Sequence, residues 1–192
     1  MKKKTKKVYN KIALVLLGVL LQSLNSYIYD DYMASKQQVH DVKEEKIALI
    51  DKQLLEFYIP LKIKLDKSRR LFINYKKKYA NDKVFSQIIK SKNREDMLRW
   101  QRYVLSAFLP IHTELDRIIS SKRYLMDKNV KISDQLDLLE QHIVYYKVIF
   151  MKWQDNDVSE NFAPTQFPRN LASLISLEIE RLKIEKIKLE AE

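Results

Sequence analysis

Ile132-Ser133-Asp134-Gln135-Leu136-Asp137-Leu138-Leu139-Glu140-Gln141-His142-Ile143-Val144-Tyr145-Tyr146-Lys147-Val148-Ile149-Phe150-Met151-Lys152-Trp153 repeats large apolar residues at 132, 136, 139, 143, 146, 150 and 153. The steps alternate four and three throughout. A helix carrying such a coiled-coil-like stripe must bury it along a narrow seam against other helices, and no strand reading of period two fits the stretch. The fold class follows: all-α, a bundle of five to six helices.

Composition agrees. One glycine in 192 residues leaves little material for hairpin turns and bulges, and four prolines punctuate the chain sparsely. Upstream of the quoted stretch, Ile47, Ile50, Leu54, Phe57, Leu61 and Leu65 form a second stripe that keeps phase through Pro60. Proline inside a helix removes a hydrogen bond and crowds the preceding turn, so the spacing predicts a first helix, starting near Ser35, with a kink at Pro60. That kink would bring Tyr58 toward Tyr146. Asn81 and Asn93 read as amino-terminal caps, with a short helix over Val84 to Lys90 between them. The helix from Arg94 turns Leu98, Trp100 and Leu105 inward and is interrupted at Leu109-Pro110, where Pro110 opens the next one with Leu115, Ile118, Ile119 and Leu125 buried. Asp127-Lys128-Asn129 is a loop. A polar linker, 154–166, leads to Phe167-Pro168 and a last helix bearing Leu171, Ile175, Ile179 and Leu182. Ile184, Ile187 and Leu189 alternate with charges at its end, leaving the last turns to fray or to meet a second copy, so a homo-oligomer stays among the expected states.

At the other end of the chain, residues 12–29 carry no charge and follow six lysines within residues 1–11. A membrane span needs about 20 mostly apolar residues, with about 17 as a lower limit. The most apolar part, 12–21, has the length of a signal peptide, but no small-residue cleavage pair follows it and no cysteine offers a lipoprotein anchor. The run is therefore expected to be an uncleaved anchor holding the lipid bilayer. Lysine before it and Asp30-Asp31 after it place the amino terminus inside and the remaining chain outside a cytoplasmic (inner) membrane, as a single-pass protein. The expected organisation is a basic flank (1–11), an anchor (12–29), a juxtamembrane helix (30–46) and a helical domain (47–192).

The net charge of +11 is less telling than it looks. Six of the 36 basic residues lie in the amino-terminal flank, which leaves 30 against 25 acids, intermixed along helices. A nucleic-acid footprint would need a clustered basic face, so no nucleic acid is expected. Lys76-Lys77-Lys78 reads as a solvated helix end, where lysine is favourable on its own account.

Leu54-Leu55-Glu56-Phe57-Tyr58-Ile59-Pro60-Leu61, Leu109-Pro110-Ile111-His112, Leu139-Glu140-Gln141-His142 with Tyr145, and Phe167-Pro168 occur here in a fixed order. In that order and spacing they resemble a widespread family of uncharacterised bacterial proteins, over roughly residues 45–185. The resemblance implies an amino-terminal membrane segment joined to a small all-helical domain and brings no activity. Members of that type often hold the domain in the cytoplasm, opposite to the side the lysines favour.

No motif names a reaction, and the chain is not expected to be an enzyme or to carry a cofactor. His112, Glu114 and His142 have the donor types of a metal site, but no His-Glu-x-x-His or Glu-x-x-His pattern supplies further ligands, so a structural role is preferred. His40 is expected to be exposed. Tyr58, Tyr145 and Tyr146 sit among helix-spaced aromatics, which usually build core. Together Tyr58, His112, Glu114, His142, Tyr145 and Tyr146 form a candidate binding or structural polar cluster. Two functions remain: an interaction or scaffolding module with a protein partner, or a sensor whose ligand lies near Tyr58, His112 and Tyr146.

Overall fold

The computed structural model describes residues 2–79 and 94–191, with side chains from residue 18 onward except those of 19 and 21. Among these residues every regular element is helical. Helix α1 runs over Lys2–Lys52 and passes through a π turn, Gln53–Tyr58, into α2, Ile59–Tyr79. Helix α3, Arg94–Tyr103, passes in the same way through a π turn, Val104–Phe108, into α4, Leu109–Lys122. A 3-10 turn, Arg123–Leu125, leads to α5, Val130–Gln154, and an extended segment leads to α6, Leu171–Ala191.

The chain divides into two compact units, Met1–Ala48 and Leu49–Glu192. The first is a helix whose described apolar side chains, Leu20, Leu24, Tyr27, Ile28 and Tyr29 among them, are exposed. It does not begin near Ser35: nothing between Tyr29 and Ser35 is a proline or glycine, so the helix continues unbroken from Lys2. Among the described residues no helix is long and apolar enough to cross a membrane. Of the expected anchor, the side chains of 12–17, 19 and 21 lie outside the described residues, as do the short helix expected over Val84 to Lys90 and the caps Asn81 and Asn93.

The second unit packs four helical stretches around one aliphatic core. Phe57, Tyr58, Leu61, Leu65, Leu115, Ile119, Ile132, Leu136, Leu139, Ile143, Leu171 and Ile175 are all buried there. Asn129 caps α5, its side-chain oxygen accepting from the Ile132 N–H at 3.3 Å. The α5 stripe holds from Ile132 to Tyr146, and then Ile149 takes the buried position while Phe150 and Trp153 slide to half-exposed sites. A helix of 3.6 residues per turn drifts away from a strict 3.5 spacing, and the drift shows in the third heptad. At one end, Tyr75, Trp100, Val104, Phe108 and Tyr146 form a second, aromatic cluster.

Neither internal proline breaks its helix. Each follows a π turn that ends two residues earlier, with the Ile59 N–H donating to the Leu54 carbonyl and the Leu109 N–H to the Val104 carbonyl. The wider ring gives the pyrrolidine room and replaces the regular hydrogen-bond pattern that proline cannot join. At Pro60 the sequence implied a kink, and a wide turn lies just before it; the interruption expected at Leu109-Pro110 is a wide turn through which the helix continues. The inserted residue also changes which side faces inward: Leu98 is 41% exposed, while Trp100, Val104 and Phe108 are buried.

The two proline regions repeat each other. Pro60-Leu61-Lys62-Ile63-Lys64-Leu65-Asp66-Lys67 and Pro110-Ile111-His112-Thr113-Glu114-Leu115-Asp116-Arg117 share proline, Leu-Asp and a following base at an offset of 50. Helices α2 and α4 run antiparallel, because Lys64 pairs with Glu114 while Glu56 pairs with Lys122. Lys64 and Glu114 are equivalent positions of the repeat, so the pair marks a local pseudo-two-fold.

Candidate functional site

Trp100, Val104, Phe108 and His112 are spaced by four, and three such steps would over-rotate a regular α-helix by about 40° each. The π turn takes up that excess and keeps all four on one face. From α5, His142 and Tyr146 project together because they are one turn apart. These two faces meet Leu65, Ser68 and Phe72 of α2 and the segment 162–170 around a cavity of about 680 Å³, which lies where the aliphatic core joins the aromatic cluster. Its volume is that of small-molecule sites in general.

The polar linker expected over 154–166 is exposed from 154 to 160 and packs against the bundle from Asn161 onward. It is tied to the bundle through its backbone: the Trp100 indole donates to the Asn161 carbonyl at 3.3 Å, the Trp153 indole to the Glu160 carbonyl at 2.9 Å, and His142 Nδ1 to the Thr165 carbonyl at 2.6 Å. A carbonyl only accepts, so His142 carries its proton on Nδ1 and leaves Nε2 as an acceptor. Asn156 takes a positive φ of 60° where the segment leaves α5, a conformation asparagine tolerates well.

His112 stands at the centre of the aromatic lining. Its ring centroid is 5.6 Å from that of His142 and 5.8 Å from that of Tyr146, and it stacks on Phe167 at 6.4 Å with an interplanar angle of 18°. His142 meets Tyr146 at 5.0 Å and Phe167 at 5.5 Å, both edge-on. The His112 side chain is buried and its Nδ1 has no hydrogen-bond partner. A buried imidazole nitrogen with no partner is costly in a folded protein, so it calls for an explanation. Desolvation, with a smaller push from His142, lowers the His112 pKa to about 3. Burial lowers the His142 pKa too, against the bond to Thr165, and raises that of the Tyr146 hydroxyl. Both histidines are therefore neutral at ordinary pH.

Three of the six candidate cluster residues come together here: His112, His142 and Tyr146. The other three do not. Glu114 lies two residues from His112, about 200° around the helix, and pairs with Lys64 at the surface. Tyr145 is one step out of phase with Tyr146 and is 43% exposed. Tyr58 is fully buried but does not line the cavity: it stacks edge-on against Phe57 at 5.0 Å and sits about 15 Å along the helix from Ser68, by the rise per residue. Burial, then Glu178 and Asp127, raise its hydroxyl pKa; the hydroxyl faces the Asp127 backbone without reaching hydrogen-bond geometry. Pro60 serves that same end of the helix. His40 is exposed in the first unit.

Sequence reasoning passed over Ser68, Phe72, Phe108 and Phe167 as lining residues. The run of three consecutive four-residue steps ending just after Pro110 is the signal that would have found Phe108, since a regular helix does not keep such a series on one face. Among the described residues no three His, Asp or Glu side chains converge as metal ligands would.

Fold and site together define an all-helical bundle with an aromatic-walled, partly open cavity. No protein-family model, curated protein or solved structure matches the chain.

Proposed function

We propose that the chain is a membrane-anchored binding protein whose helical domain holds a small molecule in the cavity beside His112, His142 and Tyr146. The observation that carries this reading is a cavity of about 680 Å³ whose lining brings together the buried His112, with its unpartnered Nδ1, and His142 and Tyr146. The second sequence-level reading, a ligand-binding sensor, is thus preferred, with Tyr58 removed from the pocket. Extraction of the purified full chain and mass spectrometry of the extract test it. A small molecule at near one per chain is expected, absent from Ala172→Trp, which fills the cavity. Identical extracts from the two proteins, both folded by circular dichroism, would overturn it.

The anchor at 12–29, single-pass with the domain outside an inner membrane, belongs to the same proposal, as does the likeness to membrane-anchored helical proteins. Six lysines before the run and the exposed Leu24, Tyr27, Ile28 and Tyr29 support it. A carboxy-terminal alkaline phosphatase fusion is expected to be active; an inactive fusion beside a bright cytoplasmic reporter reverses the topology. The scaffolding reading keeps one observation in its favour, the exposed stripe of Val144, Tyr145, Val148 and Met151 on α5.

A further inference from the structure

We propose that the cavity selects an amphipathic organic acid, one apolar chain or ring system with a single anionic head, and that Arg69 and Arg169 at its opening hold the head. This rests on the ligand-binding reading above and narrows it. Arg69 comes from α2 and Arg169 from the segment before α6, so two exposed arginines from different parts of the fold border the cavity. Both are exposed, and neither makes an ion pair among the described residues. Arg99, Arg123 and Arg181, in contrast, each pair with at least one carboxylate.

The lining contains no aspartate or glutamate, although the chain has 25 acidic residues. Two arginines without an ion pair, in a lining free of carboxylates, favour a carboxylate and repel a cation. The interior has a different chemistry. Phe72, Phe108 and Phe167 supply an apolar body's surroundings, and the buried polar side chains of the lining are uncharged: Ser68 and two neutral histidines. Burial holds His112 uncharged, so an anionic head has no counter-charge at depth, and the arginine pair is where it is stabilised. The interior suits a neutral, mostly apolar ligand body. A volume of about 680 Å³ fits a single-chain molecule.

The test uses the full chain in an uncharged detergent and three probes of one length: decanoate, decanol and decylamine. Binding is followed through the emission of Trp100, which lines the cavity. Each probe is also titrated into Arg69→Gln/Arg169→Gln, so that partitioning into detergent affects both proteins equally. Decanoate is expected to bind at least about tenfold more tightly than the other two, and to fall to the level of decanol in the double variant, whose decanol affinity is unchanged. If the three probes bind alike, or the double variant keeps its preference for decanoate, the acid proposal is overturned and the cavity reading stands. If none binds the parent protein, the acid proposal and the cavity reading both fail.

Discussion

Ile143→Ala is expected to destabilise the helical unit by about 2 to 5 kcal/mol. Ile143 is fully buried, in the middle of the α5 seam, flanked along it by Leu139 and Tyr146, which are also buried. Close packing from several helices leaves little freedom to collapse onto the lost methyl groups, so the substitution leaves a cavity and forfeits transfer energy together. Lys131→Ala, exposed near the start of the same helix, is expected to change stability by less than about 0.5 kcal/mol. Urea melts of the two variants check this. Equal midpoints would mean that the seam does not carry the bundle.

A second large effect is expected on acidification. The folded chain holds His112 neutral down to a pKa of about 3, whereas the unfolded chain takes up a proton near the ordinary value of about 6.5. A depressed folded-state pKa gives stability that is whole above pH 6.5 and is lost as the pH falls toward 3, because the unfolded state then binds the proton that the fold refuses. The expected loss is about 1.4 kcal/mol for each pH unit within that window. His142 shifts in the same direction and adds to it. Exposed carboxylates such as Glu56 and Glu114, held below their usual range by lysines, lose their pairing in acid as well. The difference between the parent and His112→Phe separates the histidine from them. Stability curves that stay parallel from pH 7 to pH 4 would show that His112 titrates normally in the folded protein.

Much of this architecture could be read from helix periodicity. Ile132 to Tyr146 announces its buried face because a single regular helix decides which residues point together, and Leu171, Ile175, Ile179 and Leu182 do the same for α6. The site was legible in kind and only partly in place. His112, His142 and Tyr146 could be picked out as polar or aromatic residues beside buried stripes, yet their meeting depends on how two helices cross, which neither local sequence encodes. Glu114 and Tyr145 were separable in advance, since helical angles of about 200° and 100° turn them away from His112 and Tyr146. The wall formed by 162–170 was hidden for a different reason. Its attachment uses the carbonyls of Glu160, Asn161 and Thr165, and every residue type has a carbonyl.

The paired π turns set up two similar surroundings. Two antiparallel helices share a proline, a preceding wide turn and a Leu-Asp pair at an offset of 50, and meet at the Lys64–Glu114 contact. What the two wide turns border differs. Beside the second wide turn the interior stays open around His112. Near the first, Gln53 donates to the Leu125 carbonyl at 2.9 Å and to Asp127 at 2.8 Å, and Tyr58 fills the space next to it. One wide turn is thus sealed by a hydrogen-bonded plug that fastens the fold, while the other borders the open interior, so rigidity and room for a guest sit at separate turns.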